Sequence, residues 1–121
     1  YALAANPGWL TDAERRFMAS HPERFVVSAV SVWEIRLKWS ALRTTGERKG
    51  PLEPQHALHL LSGQAIRFLD LTPTHAASVL LHPVPHRDPF DELLLVQAQA
   101  EGLQLLTRDR LLISHPLTIS V

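Results

Sequence analysis

The sequence contains no cysteine and no long apolar run. Without cysteine, disulfide bonds, thiolate metal sites and a cysteine nucleophile are all excluded. No stretch approaches the ~18 consecutive apolar residues that a membrane-spanning helix needs, and no signal peptide is visible. We therefore expect a cytoplasmic protein that does not associate with membranes.

An excess of charge of either sign is also missing, because 12 Lys and Arg balance 12 Asp and Glu. A protein that holds nucleic acid by its overall charge is normally basic. Any contact with nucleic acid must therefore come from a local basic patch. The side chains that could form one are Arg36, Lys38, Arg43, Arg48 and Lys49.

Apolar residues make up 45% of the chain, enough for the core of one domain over residues 1–121. Helical patterns alternate with short apolar runs that are typical of strands. Those strands are expected at residues 25–29, 66–71, 103–106 and 117–121. The alternation predicts an α/β fold, a three-layer α/β/α sandwich around a mostly parallel central sheet. Because the chain opens in a helix-like segment, the first strand is expected to be missing.

Four acidic residues stand out by their positions relative to these elements. Glu34 is expected in the first turn of a helix opened by Ser31, and Asp91 in the first turn of the longest helix. Asp88 precedes that helix, and Asp109 follows the strand at residues 103–106. In a parallel sheet these points converge at one edge. Clustered carboxylates without cysteine favour Mg²⁺ or Mn²⁺, which activate water and stabilise charge on phosphate.

Each of these residues also has a purely structural interpretation. Glu34 would complete a capping box with Ser31, and Asp91 would interact favourably with the helix dipole. Asp88 suits the helix N-cap, a role that we favour over metal ligation, and Asp109 could begin a turn. The joint pattern outweighs these separate readings. The seven histidines show no zinc-site spacing, and we expect most of them at the surface or in loops.

Taken in order, four segments resemble the VapC-type toxins among the PIN-domain ribonucleases. They are SAVSVWEI at residues 28–35, LDLTPTHA at 69–76, PHRDPFDELLLVQA at 85–98 and LLTRD at 105–109. The ordered set is specific, whereas any one segment alone is not. The resemblance implies a PIN-like fold, Mg²⁺- or Mn²⁺-dependent cleavage of RNA, a cognate antitoxin that blocks the active site, and a homodimer.

The resemblance also implies roles for individual residues. Those that match the family's catalytic and metal-binding positions are Glu34, Asp91 and Asp109. Additional site residues beside them are Asp88 and Thr107, with Thr107 ordering the last acidic loop. Basic side chains that would hold RNA phosphates, without reading the RNA sequence, are Arg36, Lys38 and Arg87.

The family's site also uses an aspartate at the end of its first strand, upstream of the position that Tyr1 occupies here. The resemblance therefore implies an N-terminally truncated domain. Three functions stay open: an endoribonuclease toxin neutralised by its antitoxin, a non-catalytic PIN remnant that binds antitoxin or RNA, and a PIN nuclease of RNA maturation. A small antitoxin-like reading frame beside the gene would argue against the third.

Overall fold

The computed structural model describes residues 2–4, 11–20, 24–41, 45–46, 53–63, 66–84, 88–107 and 109–120, the first segment by its backbone alone. The elements in chain order are β1 (Ala2–Ala4), α1 (Asp12–Ser20), β2 (Phe25–Ser28), α2 (Ala29–Ser40), α3 (Pro54–Ser62), β3 (Arg67–Leu69), α4 (Pro73–Ala77), α5 (Pro89–Glu101), β4 (Gln104–Leu106) and β5 (Thr118–Ile119). Within these residues, no helix combines the length and the apolar character needed to cross a membrane.

The strands form one sheet in the order β3-β2-β1-β4-β5. Every described pairing is parallel, with Val27 opposite Phe68 and Leu105 opposite Thr118. Parallel strands need crossover connections, and helices supply several of them here. The predicted α/β class with a parallel sheet is therefore confirmed.

The prediction that the sheet lacks a first strand is wrong for this structure. β1 lies at the centre of the sheet and pairs with β2 on one side and with β4 on the other. Its sequence, Ala-Leu-Ala, carries none of the β-branched or aromatic residues that mark strands. The segment forms a strand because it satisfies backbone groups along the facing edges of β2 and β4. Truncation of the domain stays a prediction.

Local hydrogen bonds set both ends of α5 and the start of α1. The Thr11 hydroxyl accepts a hydrogen bond from the Glu14 N–H at 3.1 Å, and the Glu14 carboxylate accepts one from the Thr11 N–H. Asp88 is the N-cap of α5, with Pro89 as its first residue, and Gly102 ends the helix with φ of 66°. That left-handed backbone conformation favours glycine.

Two predicted helix boundaries are wrong. α2 begins at Ala29 with Ser28 as its N-cap, so Ser31 lies inside the helix and Glu34 in its second turn. The sequence also favours a helix that starts at Thr72-Pro73 and runs to about residue 81, but α4 ends at Ala77. Ser78 is extended there, which buries the Leu80 side chain in the core.

Apolar side chains pack in two clusters on opposite faces of the sheet. Val26 of β2 belongs to the cluster that contains Leu95 of α5. Its neighbour Val27 belongs to the other cluster, together with Met18 of α1 and Leu61 of α3. Successive side chains of a strand point to opposite faces, so helices cover both sides of β2. This packing fixes the positions of α2 and α5 relative to the sheet.

Candidate functional site

The N-terminal parts of α2 and α5 lie against each other. The Trp33 ring packs edge-on against the Phe90 ring, with 5.2 Å between centroids and 68° between planes. Each aromatic residue precedes an acidic one, Glu34 and Asp91 respectively. Because α2 follows β2 directly, this contact lies toward the carboxyl edge of the sheet, where parallel α/β folds place their sites.

Glu34 is an acidic residue whose pKa depends on its surroundings in the fold. Its side chain is only 16% exposed, and its carboxylate lies 3.8 Å from the Lys38 ammonium group. Burial raises the pKa of Glu34; Lys38 lowers it, and the negative charge of Asp88 raises it further. Glu34 and Asp88 are therefore close enough to repel each other when both are ionised, a repulsion that a bound cation would relieve.

Asp88 caps α5, and its negative charge also repels that of Glu34. Its Oδ1 accepts hydrogen bonds from the N–H groups of Phe90 at 2.9 Å and Asp91 at 3.4 Å. These bonds satisfy amide groups that have no partner inside the helix. They also hold Asp91 at the third position of α5. The capping role was predicted, and the coupling to Glu34 is what the structure adds.

Asp109 and Thr107 lie beyond the end of β4. Thr107 is buried, and its hydroxyl accepts a hydrogen bond from the Asp109 N–H at 3.1 Å. Asp109 Oδ1 accepts one from the Leu111 N–H at 2.9 Å, so this carboxylate stabilises the turn that it begins. β1 lies between β4 and β2. The end of β4 is therefore two strand spacings, about 10 Å, from the end of β2.

The structure brings only some of the predicted site residues together. It couples Glu34 to Asp88 and places Asp91 beside the Asp88 cap. Across the part of the chain that is described, no three His, Cys, Asp or Glu side chains are grouped closely enough to hold a metal ion. Ala5 and Asn6 follow β1 in the sequence, so no carboxylate comes directly after the central strand.

The predicted phosphate-binding residues have different surroundings. Arg36 is exposed on α2, and Lys38 is paired with Glu34. Arg87 lies outside the described residues, as do Arg43, Arg48 and Lys49. A basic patch along α2 therefore has Arg36 and Lys38 as its described members.

The burial of two histidines was not predicted from the sequence, which led us to expect most histidines at the surface or in loops. His75 is 2% exposed and His115 is 8% exposed. His75 Nδ1 accepts a hydrogen bond from the Thr72 N–H at 3.1 Å, and the Thr72 hydroxyl accepts one from the His75 N–H. The spacing of a threonine N-cap and a polar residue three positions later could have revealed this capping box.

The fold and the site define a class: a parallel α/β domain with acidic residues where the helices begin, at the carboxyl edge of the sheet. The PIN domain family matches residues 8–115, and the chain belongs to this family. PIN domains are generally nucleases and typically use divalent metal ions. A search of curated proteins found no match.

Replacing Glu34 by glutamine should stabilise the fold at neutral pH. The raised pKa means that the folded protein binds the Glu34 proton more tightly than the unfolded chain. Ionising Glu34 at neutral pH therefore reduces stability, and stability is regained as pH falls through the folded pKa. We expect Glu34→Gln to raise the melting temperature at pH 7 by roughly 2 °C, and the difference to disappear at pH 4.

Thermal unfolding followed by circular dichroism would measure this difference at both pH values. Glu92→Gln is the matched control, because it removes one exposed negative charge from the first turn of α5. A melting temperature of Glu34→Gln below that of the wild type at pH 7 would contradict the prediction.

Proposed function

We propose that this protein is a metal-dependent endoribonuclease of the VapC type. It hydrolyses RNA phosphodiester bonds in the cytoplasm as a toxin that a cognate antitoxin neutralises, and it forms a homodimer of three-layer α/β/α domains. One observation carries the proposal: in a chain of the PIN family, the Trp33–Phe90 contact joins the N-terminal parts of α2 and α5, which bear Glu34 and Asp91.

The donor chemistry at this edge fits a divalent cation. Mg²⁺ and Mn²⁺ prefer oxygen ligands, and Mg²⁺ is usually held by one or two carboxylates together with water and substrate phosphates. The mutual repulsion of Glu34 and Asp88 also favours a cation between such groups. We assign Asp91, Asp109 and Glu34 as the metal-binding residues, with Asp88 beside them. The bound ion would lower the pKa of water and stabilise charge on the phosphate.

Glu34 and the basic residues of α2 supply the remaining chemistry in this proposal. Glu34 would be the general base for the attacking water. Its carboxylate would take a proton from the attacking water. Lys38, Arg36 and Arg87 would hold phosphates on either side of the cleaved bond, contacts that position RNA without specifying its sequence.

A second function, a non-catalytic PIN remnant that binds antitoxin or RNA, is favoured by a different observation. The residues that the structure describes include no group of three metal-binding side chains, and no carboxylate comes directly after β1 in the sequence. If the remaining carboxylates cannot hold a cation, the domain would keep its binding surfaces but lose catalysis.

Cleavage of a mixed RNA pool by the purified chain, with and without Mn²⁺, would decide between the two functions. We expect Mn²⁺-dependent cleavage that excess EDTA abolishes and that added Mn²⁺ restores. Magnesium ions should support the same cleavage, since both cations favour oxygen ligands. A folded protein that leaves the RNA intact at every Mn²⁺ concentration would support the remnant.

A further inference from the structure

Four polar side chains form a hydrogen-bonded chain, here called the buried relay, that links α2, α4 and α5. Its members are Ser28, Gln97, His75 and Glu101. The Ser28 hydroxyl donates to Gln97 Oε1, and Gln97 Nε2 lies 3.4 Å from His75 Nδ1. His75 Nε2 lies 2.8 Å from the Glu101 carboxylate. Ser28 and Gln97 have no exposed surface, whereas the Glu101 side chain is 43% exposed.

The backbone determines the direction of every bond in the buried relay. The Thr72 N–H can only donate, so the His75 Nδ1 that it contacts must be an acceptor without a proton. Nε2 then carries the ring proton and donates to Glu101. Gln97 Nε2 donates to His75 Nδ1 and to the Asp70 carbonyl at 3.3 Å. Its Oε1 is thereby turned toward Ser28.

The buried relay ends on the residue that starts α2. Ser28 is the N-cap, and its hydroxyl oxygen accepts a hydrogen bond from the Val30 N–H at 3.0 Å while its proton goes to Gln97. Without Gln97 Oε1, this buried hydroxyl would lose the partner that orients it, which carries a desolvation penalty. An apolar contact between α5 and β2 would bury surface equally well but would not orient the cap.

We propose that Gln97, oriented by His75, is a positioning residue for the acidic site. It holds the Ser28 cap, and through the cap it holds the α2 turns that carry Glu34. Gln97 is fully buried and acts through Ser28. This inference rests on the proposed function for the meaning of the site, but the hydrogen-bond geometry of the buried relay can be tested without any cleavage.

Gln97→Met is the main variant, because methionine has a similar length and makes no comparable hydrogen bonds. Gln99→Met is the matched control on the same helix. The Gln99 side chain also makes two hydrogen bonds, to the Val79 carbonyl at 3.0 Å and the Leu81 N–H at 2.9 Å, and neither involves α2. Both variants should lower the melting temperature, Gln97→Met more than Gln99→Met, because Gln97 is fully buried and the hydrogen bonds of Gln99 are exposed.

Only Gln97→Met should alter α2 and the site. We expect amide hydrogen exchange over residues 30–35 to become about tenfold faster, the factor that corresponds to ~1.4 kcal/mol. We also expect the Mn²⁺ concentration for half-maximal cleavage to rise about tenfold, and the acid limb of the pH–rate profile to move. In Gln99→Met, both quantities should stay within about twofold of the wild type.

Unchanged exchange over residues 30–35 in a folded Gln97→Met variant would overturn the proposal, as would an equal increase in Gln99→Met. If the wild type does not cleave RNA, the proposed function fails, but the exchange comparison still decides the role of Gln97. If Gln97→Met does not fold, ¹⁵N NMR of the wild-type His75 ring provides the test. A proton on Nε2 supports the buried relay, and a proton on Nδ1 overturns it.

Discussion

Asp91→Asn is expected to reduce Mn²⁺-dependent RNA cleavage at least ~100-fold, because residues that merely support a metal ligand already contribute up to that factor. The substitution keeps the size of the side chain but removes the negative charge that attracts the cation. Asparagine also fits the third position of α5, which the Asp88 cap holds. The far-UV circular dichroism spectrum should therefore remain that of the wild type.

Asp12→Asn provides the matched control for this prediction. Asp12 also lies in the first turn of a helix, its side chain is 86% exposed, and its ion pair with Arg15 spans 3.9 Å. Such exposed pairs contribute little to stability. Initial rates of both variants should be measured over a range of Mn²⁺ concentrations. Full cleavage by Asp91→Asn would rule out Asp91 as a metal ligand.

Leu95→Ala is expected to have the largest effect on stability, lowering the free energy of unfolding by ~3 kcal/mol. Leu95 has no exposed surface and lies in the cluster that joins α5 to the sheet through Val26 and Leu105. Alanine would leave a cavity that the surrounding strands cannot close. Since domains of this size have only about 5–15 kcal/mol of stability, the melting temperature should fall by roughly 10 °C.

Leu81→Ala removes the same atoms from a side chain that is 80% exposed. Its free energy of unfolding should stay within ~0.5 kcal/mol of the wild type. Urea denaturation followed by circular dichroism would compare the two variants. A loss below about 1 kcal/mol for Leu95→Ala would show that α5 does not pack on the sheet as the structure describes.

The choice of cap for α2 shows where reasoning from the sequence stopped. Ser28 and Ser31 are both suitable N-cap residues, and Glu34 three positions after Ser31 made the second serine the better candidate. The structure uses Ser28, whose hydroxyl also donates to Gln97, 69 positions along the chain. A contact between residues so far apart leaves no signal in the local pattern.

β1 is a second feature that depends on contacts between distant residues. Its three residues have weak strand propensity, and their resemblance to a helix was a reasonable local interpretation. The strand forms between β2 and β4, and the residues that pair with it lie more than twenty and about a hundred positions away. Only the assembled sheet supplies the hydrogen-bonding partners that make the segment extended.

For the acidic residues, local positions could be predicted from the sequence, but contacts between distant residues could not. The positions of Asp88 and Asp91 at the start of α5 and of Asp109 after β4 could be predicted, because caps and turns depend on groups a few residues apart. Glu34 was expected in the first turn of α2 but lies in the second. The Asp88 cap and the Asp109 turn are examples. Which carboxylates are neighbours could not be predicted. The coupling of Glu34 to Asp88 depends on how α2 packs on α5 through Trp33 and Phe90.

The sequence by itself determined the α/β order, the starts of α1 and α5, the end of α5 and the set of candidate acidic residues. Those features follow from hydrophobic period and from hydrogen bonds within about one helical turn. Only the tertiary structure decided the central position of β1, the burial of His75 and the pairing of Glu34 with Asp88. These depend on contacts between segments far apart in the chain, whose free energies no local pattern encodes.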